Sequence, residues 1–313
     1  MRTLFVEAPG LLTTVQDLGR AGYGPMGVSA SGAADPVALQ LANLLVGNER
    51  GAAALEMTLS GGRLQFPHGA VVALCGSDFS AVCDGHSLEL WIPHAIPPGS
   101  AISFSGTRTG ARCYLSVAGG ILVKPFLGSA STHLVSGLGG HDGRALRKGD
   151  VLQLGPQQKS IRRRKLAPEL IRAWEPRKTL RVTPAPQFDW FSKTTTKLLV
   201  DSSFTISEES DRLGLRLQGP ALRSVESREM ITEGVTLGAI QVTPSGQAII
   251  LFVEQQTTGG YPKIANVISA DRSSLGQLRP RDEVRFEMIS LEEARALWIE
   301  QQTLLASVEK RLT

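Results

Sequence analysis

Thr236-Leu237-Gly238-Ala239-Ile240-Gln241-Val242-Thr243-Pro244-Ser245-Gly246-Gln247-Ala248-Ile249-Ile250 reads as a strand, a turn built on Pro-x-Gly, and a second strand. Thr58-Leu59-Ser60-Gly61-Gly62-Arg63-Leu64-Gln65-Phe66-Pro67-His68-Gly69-Ala70-Val71-Val72, about half a chain earlier, reads almost the same way. The echo continues: Ala118-Gly119-Gly120-Ile121 matches Thr258-Gly259-Gly260-Tyr261, and Leu146-Arg147-Lys148-Gly149-Asp150-Val151 matches Leu278-Arg279-Pro280-Arg281-Asp282-Glu283-Val284. Self-similarity of this kind predicts two similar β-rich units rather than one large sheet. The boundary belongs in the proline- and arginine-rich stretch from Gly155 to about Lys178. That gives a first unit over residues 1–160, a linker over 161–178 and a second unit over 179–313.

Composition agrees with short strands joined by turns. The 313 residues include 33 glycines and 17 prolines, with 42% hydrophobic and 20% charged residues, ordinary for a globular chain. The net charge of +4 is small for this length, and no basic stripe interleaved with aromatics accompanies it, which argues against nucleic acid. The basic run Lys159 to Lys165 reads as a solvated linker. Three cysteines, Cys75, Cys83 and Cys113, show no paired spacing, which suits a reducing cytoplasm better than a disulfide framework or a zinc site. The N-terminus lacks the apolar core of an export signal, and nowhere do 18 apolar residues run together, so no membrane span is expected.

Two helices are legible. Asp35 can N-cap with Pro36 at the first helical position, Val37 to Val46 is largely apolar, and Gly47 is placed to end the run. Near the C-terminus, Ser290 and Glu293 form a capping-box pair ahead of a pattern carrying Ala294, Leu297, Trp298, Leu304, Leu305 and Val308.

Several chemistries are excluded by absence of their motifs. There is no phosphate-binding Gly-x4-Gly-Lys-Ser/Thr loop and no Gly-x-Ser-x-Gly elbow. Gly137, Gly139 and Gly143 approach a dinucleotide fingerprint, but Asp142 stands where the third glycine belongs. The five histidines show no metal-binding spacing.

What remains are polar residues set in glycine-rich turns. Asp17 and Arg20 offer a carboxylate and a guanidinium three residues apart, able to pair with each other or with an anionic group. Asp35 leads into a helix N-terminus, which favours an anion, yet it could serve only as a cap. Asn43 and Asn48 bracket the other end of that helix and Glu56 enters an apolar strand, where structural hydrogen bonds would satisfy them. Arg212 sits at a strand that runs toward Gly219-Pro220, as an anion ligand or as half of an ion pair. Ala248 to Val253 reads as a buried strand that delivers the chain into Gln256-Thr257-Thr258-Gly259-Gly260-Tyr261-Pro262-Lys263. Since Gly259-Gly260 echoes Gly119-Gly120, the glycines read as turn-makers. Gln256, Thr257, Thr258, Tyr261 and Lys263 are then the side chains left to carry chemistry.

Thr13 to Arg20, Ser31 to Asp35, Ala42 to Asn48, Leu55 to Leu59 and Gln256 to Pro262 together resemble the allophanate hydrolase subunit 2 family, also called the biotin-dependent carboxyltransferase family. That family includes KipA and the C-type subunit of bacterial 5-oxoprolinase. The resemblance runs from about Leu4 to Leu291. It implies a mainly β fold of two cyclophilin-like β-barrel units, with a few short helices and a C-terminal helix. It also implies a cytoplasmic subunit of an ATP-dependent 5-oxoprolinase that opens 5-oxo-L-proline to L-glutamate. Its partners would be a KipI-like (allophanate hydrolase subunit 1) protein and a third subunit of the lactam-utilisation type, with ATP and Mg2+ bound in the assembled complex.

Within that resemblance, Asp17, Arg20, Asp35, Glu56 and Arg212 are the catalytic candidates. Asn43, Gln256, Thr257, Thr258, Gly259, Gly260, Tyr261 and Lys263 are the candidates for binding substrate or nucleotide. Two other readings stay open: a carboxyltransferase subunit served by carboxybiotin on another protein, and a KipA-type regulator that only binds its KipI-like partner. The chain has no biotin-accepting Met-Lys-Met segment of its own.

Overall fold

A computed structural model describes residues 2–157, 165–225 and 230–312. The basic run beginning at Lys159 lies, but for Lys165, outside the described residues. The chain is mainly β with a few short helices and a long C-terminal one, and it divides into two compact units. Unit 1 comprises Met1–Arg20, Ser31–Glu175 and Ser307–Thr313; unit 2 comprises Ala21–Ala30 and Pro176–Ala306.

Unit 1 contains strands β1 (Arg2–Ala8), β2 (Leu12–Gln16), β3 (Ala54–Thr58), β4 (Arg63–Gln65), β5 (Ala70–Gly76), β6 (Val82–Cys83), β7 (His86–Ser87), β8 (Pro93–Ile96), β9 (Ala101–Ser103), β10 (Arg112–Val117), β11 (Ile121–Leu122) and β12 (Val151–Leu154). They form two sheets, ordered β11-β12-β1-β4-β9-β6-β7 and β2-β3-β10-β5-β8. Side chains alternate across each strand. In β10, Cys113, Leu115 and Val117 enter the core shared by the two sheets, beside Leu4, Leu64, Phe66 and Leu152. Tyr114 faces the other way, toward helix α1 (Pro36–Leu45), which packs across β10 and β5.

Helix α1 is closed at both ends as its sequence predicts. The Asp35 carboxylate accepts from the Ala38 N–H at 3.0 Å. At the far end the Gly47 N–H donates to Leu44 O and the Asn48 N–H to Asn43 O, a Schellman arrangement that Gly47 permits with φ +80°. Every residue from Val37 to Leu45 is buried, so the helix is apolar apart from Gln40 and Asn43 because no side of it meets solvent. Helix α2 (Pro168–Ala173) follows in the same unit.

Unit 2 holds β13 (Thr179–Pro184), α3 (Lys193–Asp201), β14 (Phe204–Ile206), β15 (Gly214–Gln218), β16 (Glu233–Gly234), β17 (Ala239–Val242), β18 (Ala248–Leu251), β19 (Thr258–Gly259), β20 (Lys263–Val267), α4 (Arg272–Gln277) and β21 (Glu283–Met288). Seven of these strands close a barrel, β13-β20-β17-β18-β15-β14-β21, and β16 pairs with β19 as a separate ribbon. Its interior is filled by side chains such as Leu180, Ile240, Ile250, Ile264 and Phe286. Helix α5 spans Leu291–Leu312. Its predicted capping box is present: the Ser290 N–H donates to Glu293 Oε2 at 2.8 Å and the Glu293 N–H to Ser290 Oγ at 3.1 Å. Ala294, Leu305 and Val308 are buried as the pattern predicts, whereas Trp298 stands on the exposed side.

Candidate functional site

The unit 1 candidates gather where the Ser31–Asp35 loop lies on the end of β2. Ser31 and Gly32 take φ of +56° and +103°, which lets the Ala33 N–H reach Asp17 O at 2.9 Å. The Asp17 carboxylate accepts from the Gly19 and Ala130 N–H groups at 2.7 and 2.6 Å and from the hydroxyls of Ser129 and Ser131. Four donors on one carboxylate make it a clamp between the 17–19 and 129–131 turns. Arg20 is buried, donates to the Ser131 and Phe126 carbonyl oxygens, and sits 5.5 Å from the Phe126 ring centroid.

Beside this clamp lies a buried carboxylate and phenol. One row of the five-stranded sheet carries Thr14, Glu56, Tyr114 and Cys75 as neighbours on β2, β3, β10 and β5, all on the α1 side. Glu56 Oε2 accepts from the Tyr114 hydroxyl at 2.6 Å and from the Ala34 N–H at 2.8 Å, and Arg112 lies 3.7 Å from Oε1. The Asp35 N–H donates to the Tyr114 oxygen at 2.7 Å. Burial, together with the Glu56 and Asp35 carboxylates, pushes the Tyr114 phenol well above its usual range, so it is a donor and not a phenolate.

Asn43 is turned to the other end of α1. Its Nδ2 donates to Ala52 O and Arg50 O, and its Oδ1 accepts from Asn48, which also holds Val117 O and the Gly119 N–H. These two amides tie the helix end to the sheet.

In unit 2 Arg212 is half of a buried ion pair with Glu254, and the backbone reinforces the pair through the Glu254 N–H to Arg212 O at 2.8 Å. Lys263 begins β20, is 3% exposed, and pairs with Glu233 on β16. Gln187 bridges both: its Nε2 donates to Glu233 Oε1 at 3.0 Å and its Oε1 accepts from the Lys263 N–H at 3.3 Å. The hydrogen bonds from Lys263 and Gln187 hold the Glu233 carboxyl below its ordinary value. Gln256 is exposed and reaches Gln241 Oε1 at 3.4 Å. Thr257 supplies a backbone acceptor to Val235, while Thr258 and Tyr261 face outward.

The reading of Gly259-Gly260 as turn-makers is corrected. Gly119 and Gly120 have φ of +92° and +76°, but neither Gly259 nor Gly260 takes a left-handed φ. Gly259 lies in β19 opposite Glu233, and a Cβ there would fall 2.5 Å from Gln241 Nε2. Glycine is present for close approach and not for a turn.

The fold brings Asp17, Arg20, Asp35 and Glu56 together in unit 1 and Gln256, Gly259 and Lys263 together in unit 2. Tyr114, Glu254, Gln187 and Glu233 carried no signal in the sequence. Gln241 left a trace, since it is the one polar residue in Ala239-Ile240-Gln241-Val242. Among the described residues no group of three or more His, Cys, Asp or Glu could hold a metal ion, and no helix is long and apolar enough to cross a membrane.

Comparison with known proteins places this geometry. Residues 26–288 match the family described as carboxyltransferase domain, subdomain A and B. The chain is 38% identical to the 5-oxoprolinase C-type subunit of Escherichia coli over 97% of this chain and 96% of that one. It is 34% identical to the corresponding 5-oxoprolinase subunit of Haemophilus influenzae, over 95% of this chain and 94% of that one. Among solved structures, the K. lactis urea amidolyase superimposes with a TM-score of 0.92 at 31% identity, over 98% of this chain and 20% of that chain. The chain therefore belongs to the carboxyltransferase subdomain A and B family, in which both 5-oxoprolinase subunits and a segment of urea amidolyase are its relatives.

Proposed function

We propose that this chain is the C-type subunit of a cytoplasmic, ATP-dependent 5-oxoprolinase and acts with a KipI-like subunit and a third, lactam-utilisation-type subunit. The observation that carries this reading is similarity. The chain is 38% and 34% identical to the two 5-oxoprolinase subunits and 31% identical to the Saccharomyces cerevisiae urea amidolyase.

The chemistry asks for activation. A lactam amide is a poor electrophile, and phosphoryl transfer to its carbonyl oxygen would make it a good one. Such a step needs cations for phosphate, yet Arg20 donates to two carbonyl oxygens, and Arg212 and Lys263 each pair with a carboxylate. The triphosphate and its Mg2+ are therefore assigned chiefly to the partner chains, with this chain contributing substrate-binding groups and a site completed across the subunit interface. Mixing the three purified subunits with 5-oxo-L-proline and MgATP should yield glutamate with concomitant ADP, and omitting this chain should abolish it. Glutamate formation that is indifferent to this chain would overturn the proposal.

The second reading is carboxyl transfer, favoured by the TM-score of 0.92 to the urea amidolyase structure. It requires biotin on another protein. Carboxylation of a urea-like acceptor by a mixture containing a biotin carboxylase and a biotinylated carrier, together with no glutamate from 5-oxoproline, would replace the first reading with this one.

A further inference from the structure

The barrel of unit 2 keeps a buried hydrogen-bond donor that no described residue satisfies. Gln241 is 2% exposed, and its Nε2 has no hydrogen-bond partner among the described residues. Its Oε1 accepts from Gln256 at 3.4 Å, with Nε2 on the other side of the amide. Leaving such a donor unpaired is costly, so a fold retains one where something else offsets the cost.

What surrounds it is not random. Gln241 and Lys263 are register partners on β17 and β20, at a bulge between Ile240 and Gln241, so their side chains leave the same face of the barrel wall. Lys263 has three ammonium donors, and its side-chain partner among the described residues is Glu233. Gly259 lies close against this amide, since a Cβ would stand 2.5 Å from Nε2, so glycine is what lets β19 approach it.

We propose that Gln241 Nε2 and Lys263 Nζ form a binding pair for the carboxylate of a small ligand, with the Glu233 carboxylate as its competitor for Lys263. One cation and one neutral donor on register partners of neighbouring strands match the two oxygens of a carboxylate. Glu233 is suited to yield, because its side chain is 43% exposed and, among the described residues, β16 pairs only with β19. Turning it to water leaves Lys263 free for the ligand at no change in the number of charge pairs. Gln241 and Lys263 are binding residues here, and Gln187 positions Lys263 through its backbone.

Only the identity of the carboxylate rests on the 5-oxoprolinase reading. The test is isothermal titration of the full-length chain with 5-oxo-L-proline, with glutarate, and with the carboxamide of 5-oxo-L-proline. The carboxylates should bind saturably and the carboxamide about ten-fold more weakly or worse. Gln241→Leu and Lys263→Met should each weaken carboxylate binding by about ten-fold or more, and Glu233→Gln should tighten it. Gln241→Glu, which keeps the shape and opposes the charge, repeats the test should Gln241→Leu fail to fold, with thermal melting as the check. Binding of glutarate without 5-oxo-L-proline would uphold the carboxylate pair and overturn 5-oxo-L-proline as its ligand, while the three-subunit assay alone decides the 5-oxoprolinase reading. Absence of saturable carboxylate binding, or a folded Gln241→Leu that binds like the parent, would overturn the inference.

Discussion

The matched Pro-x-Gly turns of the two units, Pro67-His68-Gly69 and Pro244-Ser245-Gly246, share one backbone and have opposite consequences. Gly69 and Gly246 take φ of +67° and +89°, and their N–H groups donate to Phe66 O and Thr243 O at 3.0 and 2.9 Å. In unit 2 the arms then pair with each other as the β17–β18 hairpin, with Ile240 opposite Ile250. In unit 1 they part: β4 joins the seven-stranded sheet and β5 the five-stranded one. The residue that opens the turn accounts for the difference. Thr243 is half-exposed, and its hydroxyl accepts from the Gln247 N–H at 3.1 Å, closing the hairpin on itself. Phe66 is fully buried in the core between the sheets, and its backbone pairs with the 99–100 turn instead. A tight turn therefore sets local geometry, while the apolar or polar character beside it decides whether the two arms share a sheet.

The largest effect that could break this comparison is at that residue. Phe66→Ala should destabilise the protein by about 3–5 kcal/mol in chemical denaturation, as a large core side chain is lost. Thr243→Ala should cost about 0.5–1.5 kcal/mol, the worth of one hydrogen bond. Equal costs would remove Phe66 as the reason the arms separate.

An intermediate effect concerns the two matched aspartates. Asp150 and Asp282 each accept from the N–H three residues back, Arg147 and Arg279, at 2.7 and 2.9 Å. Hydrogen bonds from Arg144 chiefly lower Asp150 from 3.8 to about 2. Burial works against the Asp282 charge, but Arg279 and Lys178 outweigh it and its carboxyl also lies below the ordinary value. A depressed carboxyl contributes stability that is complete above its unfolded value and is lost as pH falls through its folded one. Melting temperature followed from pH 5 down to about pH 2 should therefore fall less steeply in Asp150→Asn than in the parent. Asp150→Asn and Asp282→Asn should both be less stable than the parent at pH 7. An unchanged acid slope in Asp150→Asn would show that Arg144 does not hold this charge in solution.

These paired turns also show what a sequence discloses. The caps of α1 and α5 are legible because each lies within a few residues of its partner, as Asp35 does with Ala38 and Ser290 with Glu293. Helix α3 was not legible: Thr194, Thr195 and Thr196 disfavour a helix, and the Ser192 cap and the full burial of Leu199 override them. The candidate site is half legible for the same reason. Lys263 and Glu56 stand out as charges in apolar strands, but their partners lie far off in the chain, Gln187 at 76 residues and Tyr114 at 58. Glycine pairs mislead, because Gly119 serves a turn and Gly259 a close approach, and the letters are the same.

The smallest effect lies in the third echo, where the two units solve one backbone problem with different residues. Gly149 and Arg281 precede the matched aspartates with φ of +94° and +71°, and their N–H groups bond Val6 O and Ile206 O, both at 2.8 Å. The left-handed conformation costs an L residue about 1 kcal/mol and glycine little. A Cβ on Gly149 would touch nothing within 4 Å, so Gly149→Ala isolates that backbone cost and should destabilise by about 1 kcal/mol. Arg281→Gly should run the other way. Its surface ion pair with Glu208 joins two exposed side chains and is worth little, so relief of the backbone should leave the variant as stable as the parent or up to about 0.5 kcal/mol more stable. Differential scanning of both variants against the parent gives opposite signs if the two turns are equivalent. A destabilised Arg281→Gly would mean that unit 2 depends on this arginine side chain in a way unit 1 does not depend on any.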